Sequence, residues 1–163
     1  MAGSIIQSED RLAEIVRAVR SVAVIGIKDG TDPDAPAFAI PGLLRARGIR
    51  VLGVNPKIRE FHREPVVPAI ASVPDRVDVV QIFRRSENVP AHADEILALP
   101  PERRPSVVWM QTGIRNDAAA RRLTEAGIDV VMDRCLGVYA VRYRRGGASP
   151  GTDAPAAPSR PPE

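Results

Sequence analysis

The chain has 163 residues, 44% hydrophobic and 26% charged, which suits one buried core rather than two domains or a disordered polymer. A net charge of +3 with only 4% aromatic residues offers few platforms for stacking bases, so no nucleic-acid partner is expected. No apolar run nears the roughly 20 residues that span a bilayer, the N-terminus lacks a basic-then-apolar leader, and the single cysteine, Cys135, cannot pair within the chain. A cytoplasmic protein without a membrane partner is therefore expected.

Ser8 is placed to cap a helix in which Leu12, Ile15, Val16 and Val19 recur at i, i+3, i+4 and i+7, ending near Arg20. The apolar, β-branched run from Val22 to Gly26 predicts a strand buried on both faces. Ile27 to Pro36 is a loop rich in turn residues, and Pro36 pre-sets a helix from about Ala37 to Arg47 that Gly48 stops. Pro41 and Gly42 fall inside that helix and are expected to kink its first half. Val51 to Val54 is a second strand, closed by the turn Asn55-Pro56. An irregular, proline-marked stretch leads to a third strand, Val77 to Phe83. Asn88 and Pro90 open a helix to about Leu99, Val107 to Met110 is a fourth strand, Asn116 to Ala126 a helix closed by Gly127, and Asp129 to Met132 a fifth strand.

Strands alternating with helices of about ten residues predict an α/β, three-layer, doubly wound domain with a parallel sheet of about five strands. The domain is expected over residues 8–143. Residues 146–163, with no periodicity and almost no large apolar side chain, are expected to form a disordered tail rich in Pro, Ala and Gly.

In a doubly wound sheet ligands sit beyond the carboxyl ends of the strands. The segments that follow the five strands are Gly26-Ile27-Lys28, Asn55-Pro56-Lys57, Phe83-Arg84-Arg85, Gln111-Thr112-Gly113 and Asp133-Arg134-Cys135. Both lysines of the chain, Lys28 and Lys57, are in this set. With the helix N-terminus opened by Ala35-Pro36-Ala37, these cations favour a polyanionic ligand. NAD is disfavoured: Lys28 stands where the second glycine of Gly-x-Gly-x-x-Gly belongs, and Lys57 offers a cation where the NAD ribose wants a carboxylate. No Gly-Lys-Ser or Gly-Lys-Thr occurs, so a Walker phosphate loop is missing. Taken one at a time, such glycines, Asn-Pro turns and arginines serve turns and solvated surfaces. Only their joint placement points to a site.

Five motifs, Val-Ala-Val-Ile-Gly, Val-Asn-Pro-Lys, Phe-Arg-Arg-Ser-Glu-Asn-Val-Pro, Val-Trp-Met-Gln-Thr-Gly-Ile and Val-Val-Met-Asp-Arg-Cys, resemble, in the same order, those of the small CoA-binding proteins. That family is similar to the Rossmann-like N-terminal domain of the succinyl-CoA synthetase alpha subunit. The resemblance implies coenzyme A as cofactor, held by Gly26, Ile27 and Lys28, by Pro36 and Ala37, by Asn55, Pro56 and Lys57, by Phe83, Arg84, Arg85 and Val89, and by Gln111 and Gly113. Family members commonly carry a small hydroxyl residue after the first glycine, where this chain has Ile27-Lys28. The function implied is a non-catalytic module that binds or senses CoA or an acyl-CoA. The alternative is a subunit or partner of an acyl-CoA ligase or transferase that supplies only the CoA site. No catalytic or metal-ligating residue is assigned, and His62 and His92 are expected at the surface. A protein partner or a homo-oligomer stays open. So does a reaction of Cys135 with the CoA thiol, beside the plainer reading of a buried structural cysteine. Because residues 146–163 offer no apolar anchor, a chain ending at Arg145 is expected to match the full chain in thermal midpoint and in CoA affinity, as calorimetry of both would show.

Overall fold

In the computed structural model, which describes residues 2–146, the apolar runs become strands of one parallel sheet and the amphipathic segments cover it. The elements in chain order are α1 (Glu9–Ala18), β1 (Ser21–Ile25), α2 (Pro36–Ala46), β2 (Arg50–Val54), β3 (Glu60–Phe61), β4 (Glu64–Pro65), β5 (Val79–Ile82), α3 (Val89–Leu97), β6 (Val107–Met110), α4 (Asp117–Glu125), β7 (Asp129–Val131) and α5 (Leu136–Tyr143). The five long strands lie in the order β2-β1-β5-β6-β7, all parallel. The chain thus winds outward from β1 to β2 and then returns past β1 to β5, so the strand order reverses at the β1/β5 pair.

Alternation along the strands sends side chains to two cores. Ala23, Ile25, Val80, Ile82, Val108 and Met110 meet α3 and α4 on one face. Val22, Val24, Val79, Trp109 and Val131 meet α1, α2 and α5 on the other. Burial on both faces is what makes these strands continuous apolar runs. Local chemistry sets the helix starts: Ser8 Oγ accepts the Arg11 N–H at 3.3 Å and Asn116 Oδ1 the Ala119 N–H at 2.9 Å.

Three features differ from the sequence reading. The stretch between β2 and β5 contains a hairpin, β3 and β4, whose two-residue loop holds His62 and Arg63 at φ of 47° and 67°, the left-handed region that a type I′ loop requires. Neither residue is the asparagine, aspartate or glycine that marks such a loop in a sequence, so the sequence carries no turn signal. The last element among the described residues is α5, eight residues with Leu136, Tyr139 and Ala140 buried against α1 and α2. Finally, Pro41 lies buried within α2, which runs unbroken from Pro36 to Ala46. Proline removes the N–H that would reach the Ala37 carbonyl, and that carbonyl instead accepts the Lys28 N–H at 3.0 Å. The freed carbonyl thereby ties the helix to the loop beside it.

Just past α5, Arg144 closes the structure. Its Nη1 donates to the carbonyls of Val16, Arg17 and Val19 at 2.9, 3.1 and 2.8 Å, and its Nε to the Arg47 carbonyl at 3.2 Å. One guanidinium therefore satisfies the carboxyl end of α1, where a cation also suits the helix dipole, and reaches α2. Arg144→Ala is expected to cost about 1–2 kcal/mol, through the unpaired carbonyls it leaves. A fall in urea midpoint at unchanged slope would show it. Arg144→Lys should recover less than half, since one ammonium cannot span both helix ends.

Candidate functional site

The reversal of strand order leaves a crevice at the carboxyl ends of β1 and β5, and the turn that opens it is set by close packing. Gly26 follows β1 with φ at 86°. A Cβ there would lie 2.3 Å from the Phe83 carbonyl oxygen, so only glycine lets the two strand ends approach. The next residue, Ile27, turns its side chain into the core against Gly53, the neighbour whose missing Cβ leaves it room. Only its backbone joins the rim, where its carbonyl accepts the Asn55 Nδ2–H at 2.8 Å. Asn55, 8% exposed, completes its amide by accepting the Lys57 N–H at Oδ1, 2.9 Å away. The loops after β1 and β2 are thereby joined.

A cavity of about 660 Å³ opens in this crevice. Of the residues expected in the site, it gathers Gly26, Lys28, Pro36, Ala37, Asn55, Phe83, Arg84, Arg85 and Gln111. It adds Ile40, Thr112, Ile114 and Cys135, which were not among them. Ile40 was findable, because it stands one helical turn after Pro36 and so shares its face. Among the described residues three cationic side chains line the cavity and no acidic one does. The first turn of α2 contributes as well: Ala35 makes no side-chain cap and Pro36 has no N–H, so the Ala37 amide is left facing outward from the helix start. The far wall is held by Asp133, whose Oδ1 accepts the Gly113 N–H at 2.6 Å and whose own N–H donates to the Ile114 carbonyl.

The remaining expected residues stand apart from this cavity. Val89, the first residue of α3, is fully buried in the core. Gly113, at φ of 81°, serves the turn after β6. Pro56 lines a neighbouring cavity of about 530 Å³ that shares Arg84 with the first. Lys57 lines a third, a groove of about 770 Å³ walled by Phe38, Phe61, His62 and Arg63. The first two hollows adjoin at Arg84, and the groove lined by Lys57 shares no lining residue with them. His92, expected at the surface, instead faces the second hollow with its side chain 18% exposed and Nδ1 3.2 Å from Glu95 Oε1. Burial holds its pKa below the ordinary 6.5 against the pull of Glu95, and the Arg84 charge adds to the lowering. The imidazole is therefore neutral at neutral pH. His62 is exposed and stacks on Phe38, with ring centroids 5.3 Å apart.

Among curated proteins the chain is similar to the uncharacterized protein YneT of Bacillus subtilis, 32% identical over 131 residues that make up 80% of this chain and 93% of that one. Among solved structures it resembles the Thermus thermophilus protein designated cell-free ID.343, with 36% identity, a TM-score of 0.76, and 84% of this chain and 99% of the other covered. The same fold recurs in a dinucleotide-forming acetyl-coenzyme A synthetase of Ca. Korarchaeum cryptofilum, at 22% identity and a TM-score of 0.56, across 72% of this chain and 27% of that one. The sequence model of the CoA binding domain matches residues 20–140, a span from just before β1 into α5 that takes in every element of the crevice, and the chain belongs to that family.

Proposed function

We propose that this protein binds coenzyme A or an acyl-CoA across the carboxyl edge of its sheet and acts as a non-catalytic module that holds or senses the ligand. The observation that carries this is the cavity at the strand-order reversal, lined by Lys28, Arg84 and Arg85 without an opposing carboxylate, in a chain whose family is that of CoA binding domains. CoA is a long ligand with phosphates at one end and an apolar, amide-bearing arm at the other. Two hollows adjoining at Arg84 suit it better than one compact pocket would. Cations and a helix start draw the phosphates, while Ile40 and Ile114 give the arm an apolar wall.

Binding to the folded chain alone raises stability by RT ln(1 + [L]/Kd), about 2.7 kcal/mol at a hundredfold excess over Kd. CoA is expected to raise the thermal midpoint accordingly and NAD to leave it unchanged. A shift with NAD and none with CoA would reverse the assignment.

Lys57 supports a particular direction for the ligand. It follows β2, the strand end that faces the adenosine ribose in this class of fold. In our reading it pairs with the ribose 3′-phosphate from the groove it lines with Phe38 and His62. A charge-assisted contact of this kind is worth roughly 1.5–3 kcal/mol, a tenfold to hundredfold change in affinity. Lys57→Ala should weaken CoA by that factor and leave dephospho-CoA nearly untouched. Titration calorimetry of both proteins with both ligands gives the double cycle, and equal weakening of the two ligands would move the ribose elsewhere.

A further inference from the structure

Cys135 is the residue immediately before α5, partly exposed, and it lines the same cavity as Lys28 and Arg84. Beside it stands Gln111, a side chain only 4% exposed that also lines the cavity. Hydrogen bonding fixes which way its amide points. The Leu136 N–H can only donate, so the Gln111 atom 3.2 Å from it is Oε1. The same oxygen accepts the Gln81 Nε2–H at 2.9 Å. The Gln81 Oε1 is left buried without a partner, and the Gln111 Nε2 is left without an acceptor among the described residues while its side chain faces the cavity. Gln111 Nε2 thus opens on the cavity from a side chain that is otherwise buried, where it can donate to a carbonyl of a ligand. The pantetheine arm of CoA carries an amide carbonyl a few bonds from its terminal sulfur, and a carbonyl seated on Gln111 brings that sulfur to Cys135.

We propose that Cys135 is a thiol–disulfide exchange site for CoA, with Gln111 positioning the arm. The proposal rests on the CoA reading of this cavity. The oxidant is CoA disulfide. The Cys135 sulfur, having released its proton to solvent, attacks one of the two ligand sulfurs, and a bond forms between them. The disulfide bond of the ligand breaks, and the second CoA leaves as a thiolate that takes up a proton. One disulfide is consumed and one is formed. A reducing thiol runs the exchange backward, so ligand retention follows the redox state of the CoA pool.

Intact-mass analysis of the full chain exposed to CoA disulfide or to glutathione disulfide tests this, beside thermal shifts with reduced CoA. The expected result is one CoA adduct, reversed by dithiothreitol, forming at least tenfold faster than the glutathione adduct. Cys135→Ser should give no adduct. Because Cys135 is the only cysteine, peptide mapping of the wild-type adduct locates it even if the variant folds poorly. Absence of an adduct in protein that does shift with CoA overturns the exchange site alone. Equal rates with the two disulfides overturn it too, because they mark an exposed thiol without a binding site. No shift with CoA and no adduct remove the CoA reading itself.

Discussion

Asn55 uses both ends of its amide on backbone, one on the Ile27 carbonyl and the other on the Lys57 N–H, and the rim of the sheet depends on those two bonds. The loop after β1 and the loop after β2 leave neighbouring strands, and nothing in a parallel sheet obliges them to stay together once the ladder ends. A side chain that can donate and accept at once holds them. Aspartate could keep the bond to Lys57 but has no donor for Ile27. Burial makes both bonds matter, because an unpaired amide at this depth costs more than the bond itself returns.

Beyond that junction the site is a consequence of topology. Parallel strands buried on both faces leave no room for polar side chains along their length, and among the described strand residues the main exception is Gln81. Polar groups therefore collect at the strand ends, and the reversal at β1/β5 opens the one place where those ends are not roofed by a crossover. The cations then work cooperatively. Arg84 lies across the end of β1, with its Nε 3.2 Å from where a Gly26 side chain would begin, so the glycine that permits the strand approach also admits the guanidinium. The same charge reaches His92 on the other side and helps keep it neutral.

Much of this was legible in the sequence because it rests on local signals. The five strands are β-branched apolar runs, and Ser8 is a cap at the expected position. Strand-end residues fall on the carboxyl rim by arithmetic once the strands are placed, which is why most of the expected site residues share one cavity. The expected residues that lie outside that cavity do so for physical reasons. Ile27 and Val89 are adjacent to the rim along the chain, but their side chains turn into the core, and sequence order does not tell which way a loop residue faces. Lys57 stands in a separate groove because a hairpin with no glycine in its turn rises beside it. Helix α5 had an i, i+3, i+4, i+7 pattern in Leu136, Tyr139, Ala140 and Tyr143, but its brevity hid it.

The bond from the Lys28 N–H to the carbonyl that Pro41 leaves free joins main chain to main chain. Its geometry does not involve the side chain at position 28, which is exposed and free to be exchanged without altering the path of the loop. The proline thus separates scaffold from chemistry at the mouth of the crevice. A descendant of this sequence could trade the lysine for a hydroxyl or a smaller residue, retuning which anions it admits, while the loop beneath kept its shape. A substitution there changes the charge at the mouth of the crevice and leaves the main-chain bond beneath it in place.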